Sequence, residues 1–216
     1  MAYDLEEQEQ IDTIKAWWGK YGNLCTWILI VVLAAYAGWT YWNNMQQTNV
    51  RNAGKLFDQM QLAITAKDNA KVQRAASDIQ AQYGKTAYAE MSALTAAKAA
   101  YDADDLKEAK AQLQLVITNG TDDEYKAIAK VRLAGILLDE KSYDDGLKLL
   151  SGEFPAQFES MVADRKGDIL VAQNKIPEAR AAYQLALDKT DEKNPSHQLI
   201  QVKLDAIGGA AAKAAV

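Results

Sequence analysis

Residues Leu24 to Trp42 read LCTWILIVVLAAYAGWTYW, a run of 19 without one charged side chain. At about 1.5 Å rise per residue, a helix of that length matches a hydrocarbon core about 30 Å thick. The run is longer than the apolar region of a cleaved secretion signal, follows an acidic leader, and ends on no small-x-small cleavage site. Trp39, Tyr41 and Trp42 close it as one aromatic belt. Trp17, Trp18, Tyr21 and Trp27 mark the other interface, where amphipathic rings sit at headgroup depth. One membrane-spanning helix over 24–42 is therefore expected, with the lipid bilayer as the first partner of this chain.

That helix divides the chain. The leader, 1–23, is too short to fold alone and sets Asp4, Glu6, Glu7, Glu9 and Asp12 against Lys15 and Lys20. The segment 43–207 is long enough to bury a core of its own. The closing 208–216, GGAAAKAAV, reads as a disordered tail. Of the 29 acids and 24 bases in the chain, the leader takes five and two, leaving 24 against 22 beyond the span. So even a balance gives no basic patch for nucleic acid. Lys15 and Lys20 before the span tie with Arg51 and Lys55 after it, but Lys20 lies nearer its end. The positive-inside rule then places the N-terminus in the cytoplasm and 43–207 outside. Ile11, Ile14, Trp17 and Trp18 put apolar groups on one side of a short pre-membrane helix, expected to lie along the membrane surface.

Beyond Asn43 the sequence is rich in Ala, Leu, Lys and Asp, a helical composition. Leu94, Ala97 and Tyr101, then Leu106, Ala109, Leu113 and Val116, form helical stripes. Asp105 with Glu108 and Ser142 with Asp145 resemble capping boxes, and Pro177 suits a first helical turn. The stripes repeat. Small residues stand at Ala63, Ala97, Ala134 and Gly167, followed twelve positions on by Ala75, Ala109, Gly146 and Ala179, and four further by Ile79, Leu113, Leu150 and Tyr183. This is the tetratricopeptide pattern, in which small residues let helix A approach helix B. The expected fold is all-α: an N-terminal transmembrane helix, then a tetratricopeptide-like α-solenoid of about four helical hairpins with a C-terminal capping helix over 198–207. An unrepeated helical bundle is the alternative.

Four segments carry a resemblance to a known family: EQIDTIKAWWGKYG (Glu9 to Gly22), GWTYWNN (Gly38 to Asn44), VADRKGDILVAQNK (Val162 to Lys175) and QVKLDAI (Gln201 to Ile207). In this order and spacing they resemble the YfgM-like ancillary subunits of the bacterial SecYEG translocon, and the likeness covers essentially the whole chain. The resemblance implies a single-pass inner-membrane protein with a periplasmic domain, placed beside the SecYEG translocon. It further implies a PpiD-like periplasmic chaperone as partner and help for exported, still unfolded proteins leaving the channel.

No catalytic constellation is legible. The one histidine, His197, has no second histidine or accessible cysteine to join it, and Cys25 lies in the span. Asp104/Asp105, Asp122/Asp123 and Asp144/Asp145 fall where helices start and acids favour the dipole. The chain is read as no enzyme, with no cofactor and no metal. A surface carries the work instead: Met60, Met91, Leu94, Tyr101, Ile128, Val131 and Leu138 fall on helix A positions that face a solenoid's concave side. Flexible thioethers suit a groove that accepts varied apolar segments. The same stripe is ordinary core if the C-terminal helix folds back into the groove. A further alternative is an envelope stress-response adaptor acting through the cytoplasmic leader.

Overall fold

The computed structural model describes residues 2–209, with side chains from residue 8 onward. Among them are nine α-helices: α1 Ala2–Thr65, α2 Asn69–Tyr83, α3 Ala87–Asp102, α4 Leu106–Asn119, α5 Asp123–Asp139, α6 Tyr143–Leu149, α7 Glu159–Ala172, α8 Ile176–Asp188 and α9 Pro195–Ala206. The fold is all-α. Two compact units divide at Arg51 and Asn52.

In the first unit α1 passes without a break from the leader into the apolar run. Among the described residues the leader forms no separate helix of its own. The reason is local: no proline interrupts 19–24, and the indole of Trp18 covers Gly22, lying 3.1 Å from where a Cβ would be. This is the one helix among the described residues long and apolar enough to cross a membrane, and its apolar window is wholly unburied. Trp17 stacks near Trp18 and Tyr21, with ring centroids 6.3 and 5.8 Å apart, and Tyr36 lies 6.4 Å from Trp39. Trp18 and Trp39 stand 21 positions apart on one helix, about 32 Å along its axis. That separation matches the hydrocarbon thickness.

The second unit is an array of hairpins built on one turn used four times. Lys67, Asp104, Lys141 and Asn174 adopt left-handed φ of 55°, 61°, 61° and 60°. At each, the amide donates to the carbonyl three residues back: Ile64, Tyr101, Leu138 or Val171. The next amide donates to the carbonyl five back: Ala63, Ala100, Leu137 or Leu170. These are Schellman-type helix ends, and the following residue begins the second helix of the hairpin. Asp68 and Asp105 cap α2 and α4 through their side chains, Pro177 occupies the first turn of α8, and Ser142 makes no side-chain cap.

The turns recur after 37, 37 and 33 residues, which corrects the repeat register of the first hairpin. Seven positions before each turn residue stand Met60, Ala97, Ala134 and Gly167, and five after it stand Val72, Ala109, Gly146 and Ala179. All eight are buried. Met60 and Val72, not Ala63 and Ala75, therefore fill the first helix crossing. A slip of three keeps an alanine-rich stripe on the same face of a helix, so only the turn distinguishes the two registers. At the other crossings the small residues matter sterically. A Cβ on Gly146 would stand 3.0 Å from Ile169 Cδ1, and one on Gly167 would overlap the Tyr183 ring.

Each hairpin contributes its own core cluster, as expected of a quasi-one-dimensional array. α9 packs on α8, burying Ile200 and Leu204 beside Ala163, Tyr183 and Leu187. Lys203 on α9 pairs with Asp164 and Asp168 of α7 at 2.7 and 2.8 Å. α9 thus takes the place of a fifth helix A at the end of the array. Its Leu199 and Val202 remain 58% and 60% exposed. Of the tail expected over 208–216, Gly208 and Gly209 adopt left-handed φ, and the rest lies outside the described residues.

Candidate functional site

The A helices α3, α5 and α7 lie side by side, α5 against both others. The apolar stripe read as a groove lining is largely core. Met60 is fully buried, and Leu94 and Val131 are buried in the clusters of their hairpins. Ile128 and Leu138 are half-buried against those clusters, and Met91 is half-buried. Only Tyr101, 45% exposed, lines an open cavity. The reason is the small residues at the crossings. They bring helix A so close to its partner that the neighbouring apolar positions are enclosed between the two.

The face that remains open has charged walls over an apolar floor. A cavity of about 460 Å³ is walled by Lys98, Tyr101 and Asp102 of α3, by Arg132, Gly135 and Asp139 of α5, and by Arg165 of α7, over apolar Ala97, Leu113 and Ile136. Lys98 Nζ donates to Asp102 at 2.6 Å, one helical turn away. The Tyr101 hydroxyl donates to Asp139 at 2.9 Å, and that bond together with the carboxylate charge raises the Tyr101 pKa above its ordinary value. Arg132 Nη1 donates to the Leu94 carbonyl at 3.2 Å, tying α5 to α3. Partial desolvation lowers the Arg132 pKa, but the guanidinium stays cationic. Arg165 reaches across Gly135, where a Cβ would be 3.5 Å from its Cζ. Its Nη1 donates to Asp168 at 3.3 Å, and its Nε is buried with no acceptor among the described residues.

Beside the cavity, a polar knot ties the last three helices. Asp168 accepts from Tyr183 and pairs with Lys203, each at 2.8 Å. Burial, then the charge and hydrogen bond of Asp168, pushes the Tyr183 pKa far above its ordinary value. Burial also raises the Asp164 carboxyl, against the opposing hydrogen bond from Lys203. A second structural residue, absent from the sequence reading, is Glu90. At 8% exposure its Oε1 accepts from Thr121 N, Thr121 Oγ1 and Asp122 N, clamping the start of α5 onto α3. An acid set among Ala89, Ala93, Ala96 and Ala97 on a buried face was the available signal.

The family model described as a tetratricopeptide repeat-like domain matches residues 15–209. Curated relatives carry the name "Ancillary SecYEG translocon subunit". One from Neisseria gonorrhoeae is 31% identical over 208 residues, spanning 96% of this chain and 100% of the relative. One from Haemophilus influenzae is 28% identical, spanning 86% and 91%. One from Escherichia coli is 28% identical, spanning 92% and 95%. Near-full-length similarity at these identities, with a family model matching most of the chain, leads to one conclusion: this chain belongs to the ancillary SecYEG translocon subunit family, with its tetratricopeptide repeat-like domain over residues 15–209.

Proposed function

We infer that the chain is a non-catalytic, membrane-anchored protein-interaction module of the bacterial inner membrane, held beside the SecYEG translocon. Residues 24–42 are its single anchor, 1–23 its cytoplasmic leader and 43–207 its periplasmic domain. There it links the translocon to a PpiD-like chaperone and assists exported proteins as they emerge. The observation that carries this reading is the union of an exposed apolar helix, framed by aromatic belts, with a hairpin array whose A-helix face is open. A surface of that kind binds polypeptide segments. The names of the relatives support the translocon as the partner.

The test is affinity isolation of the full chain from membranes solubilised in a mild detergent. Translocon subunits recovered with it, together with a membrane-anchored chaperone, are expected. Recovery of the intact chain without any translocon subunit overturns the reading.

A further inference from the structure

We propose that the cavity between α3, α5 and α7 binds an acidic side chain from an internal segment of a partner polypeptide, held by the guanidinium groups of Arg132 and Arg165. The proposal rests on the reading of this chain as a protein-interaction module and names the chemistry that its open face selects.

Two guanidinium groups at this cavity keep donors without protein acceptors among the described residues. Lys98 and Asp102 neutralise each other at 2.6 Å, and Asp139, which accepts the Tyr101 hydroxyl, leaves one negative charge in the lining against the two guanidinium groups. Asp168, the one carboxylate that Arg165 reaches, is shared with Lys203 and Tyr183. Arg132 donates only to the Leu94 carbonyl among the described residues, and Arg165 Nε has no acceptor. Two planar forks with donors to spare thus meet at one cavity, in a chain of net charge −5. A guanidinium fork matches the two oxygens of a carboxylate, and such a charge-assisted pair is roughly twice as strong as a neutral hydrogen bond.

The pairing is confined to this place in the array. Arg132 and Arg165 each stand nine residues before a turn residue, Lys141 and Asn174, whereas the same position holds Asp58 and Thr95 in the earlier hairpins. Adjacent A helices therefore offer the two cations side by side only here. Gly135 leaves room for Arg165 on the surface of α5: a methyl there would just touch the guanidinium at 3.5 Å, and a larger side chain would displace it. At about 460 Å³ the cavity exceeds one carboxylate side chain, and its floor of Ala97, Leu113 and Ile136 is apolar. That shape suits a glutamate or aspartate with apolar neighbours within a chain.

The experiment uses the full chain in neutral-lipid nanodiscs and fluorescence anisotropy with three labelled octapeptides. The first has blocked ends and two adjacent glutamates flanked by leucines. The second replaces both glutamates with glutamine. The third is the glutamine peptide with a free terminal carboxylate. The glutamate peptide is expected to bind at least about tenfold more tightly than the other two, the scale of one charge-assisted hydrogen bond. Arg132→Gln with Arg165→Gln should reduce it to the level of the glutamine peptide, checked in variants whose melting matches the native chain. Equal binding of glutamate and glutamine peptides to the native chain overturns the proposal without recourse to any variant. Preference for the free terminal carboxylate overturns it in favour of chain ends. Failure of the broader reading is separately visible, as loss of translocon subunits from the isolated native chain.

Discussion

The guanidinium of Arg165 lies across Gly135, 3.5 Å from the point a Cβ would occupy, so a residue of α7 rests on the surface of α5 where a methyl would just fit and a larger side chain would not. This contact sets the open face of the array. A leucine at Gly135 would displace Arg165 and fill the cavity, so Gly135→Leu is expected to abolish carboxylate-peptide binding while leaving the helical content of the chain unchanged by circular dichroism.

The crossing of α7 and α8 tolerates no added atom. A Cβ at Gly167 would overlap the ring of buried Tyr183, which the Asp168 hydrogen bond holds in place. Gly167→Ala is expected to lower the unfolding free energy by about 1–3 kcal/mol through overpacking. Urea denaturation of the native and variant chains in the same detergent measures this. An unchanged midpoint would show that the ring moves freely.

Left-handed residues at the four turns carry strain where they are not glycine. Lys141, at φ 61°, occupies the position where helices most often end on glycine. Lys141→Gly removes a Cβ clash of roughly 1–2 kcal/mol against a smaller entropic cost, so stability should rise by about 0.5–1 kcal/mol. The thermal midpoint is the readout, and a fall would contradict the turn geometry.

Glu90 holds the start of α5 from below. Glu90→Ala leaves the amides of Thr121 and Asp122 without their acceptor and is expected to cost about 1–3 kcal/mol. Hydrogen exchange should accelerate first at these amides and in the opening turn of α5.

Alkaline stability reports on Tyr183. Burial and Asp168 keep its hydroxyl protonated above the pH near 10 at which an unfolded tyrosine ionises. Above that pH the folded chain binds the extra proton, so its stability falls as pH rises. Tyr183→Phe should flatten this part of the curve between pH 10 and 11.5, whatever it does at pH 7. An identical slope in both chains would show that Tyr183 ionises normally.

How legible the molecule was in its sequence differs from part to part. The long apolar helix was plain because a charge-free run of 19 residues without proline favours one continuous helix, and Asp105 and Pro177 marked helix starts by local chemistry alone. The first hairpin misled because Ala63 and Ala75 mimic, three residues on, the crossing that Met60 and Val72 make. Burial of Leu94 and Val131 followed from close helix approach, which periodicity cannot measure. Arg132 and Arg165 lie 33 residues apart and meet only through the stacking of α5 on α7, a relation that no local pattern encodes.

The most direct test of the account is photo-crosslinking in intact cells, with the probe placed in turn at Tyr41, Met91 and Tyr101. Tyr41 is exposed near the end of the apolar run, and Tyr101 lines the open cavity. The account expects translocon subunits captured at Tyr41, and a periplasmic chaperone or exported chains captured at Met91 and Tyr101. No translocon adduct at Tyr41, with neither a chaperone nor an exported chain captured at Met91 and Tyr101, would contradict it.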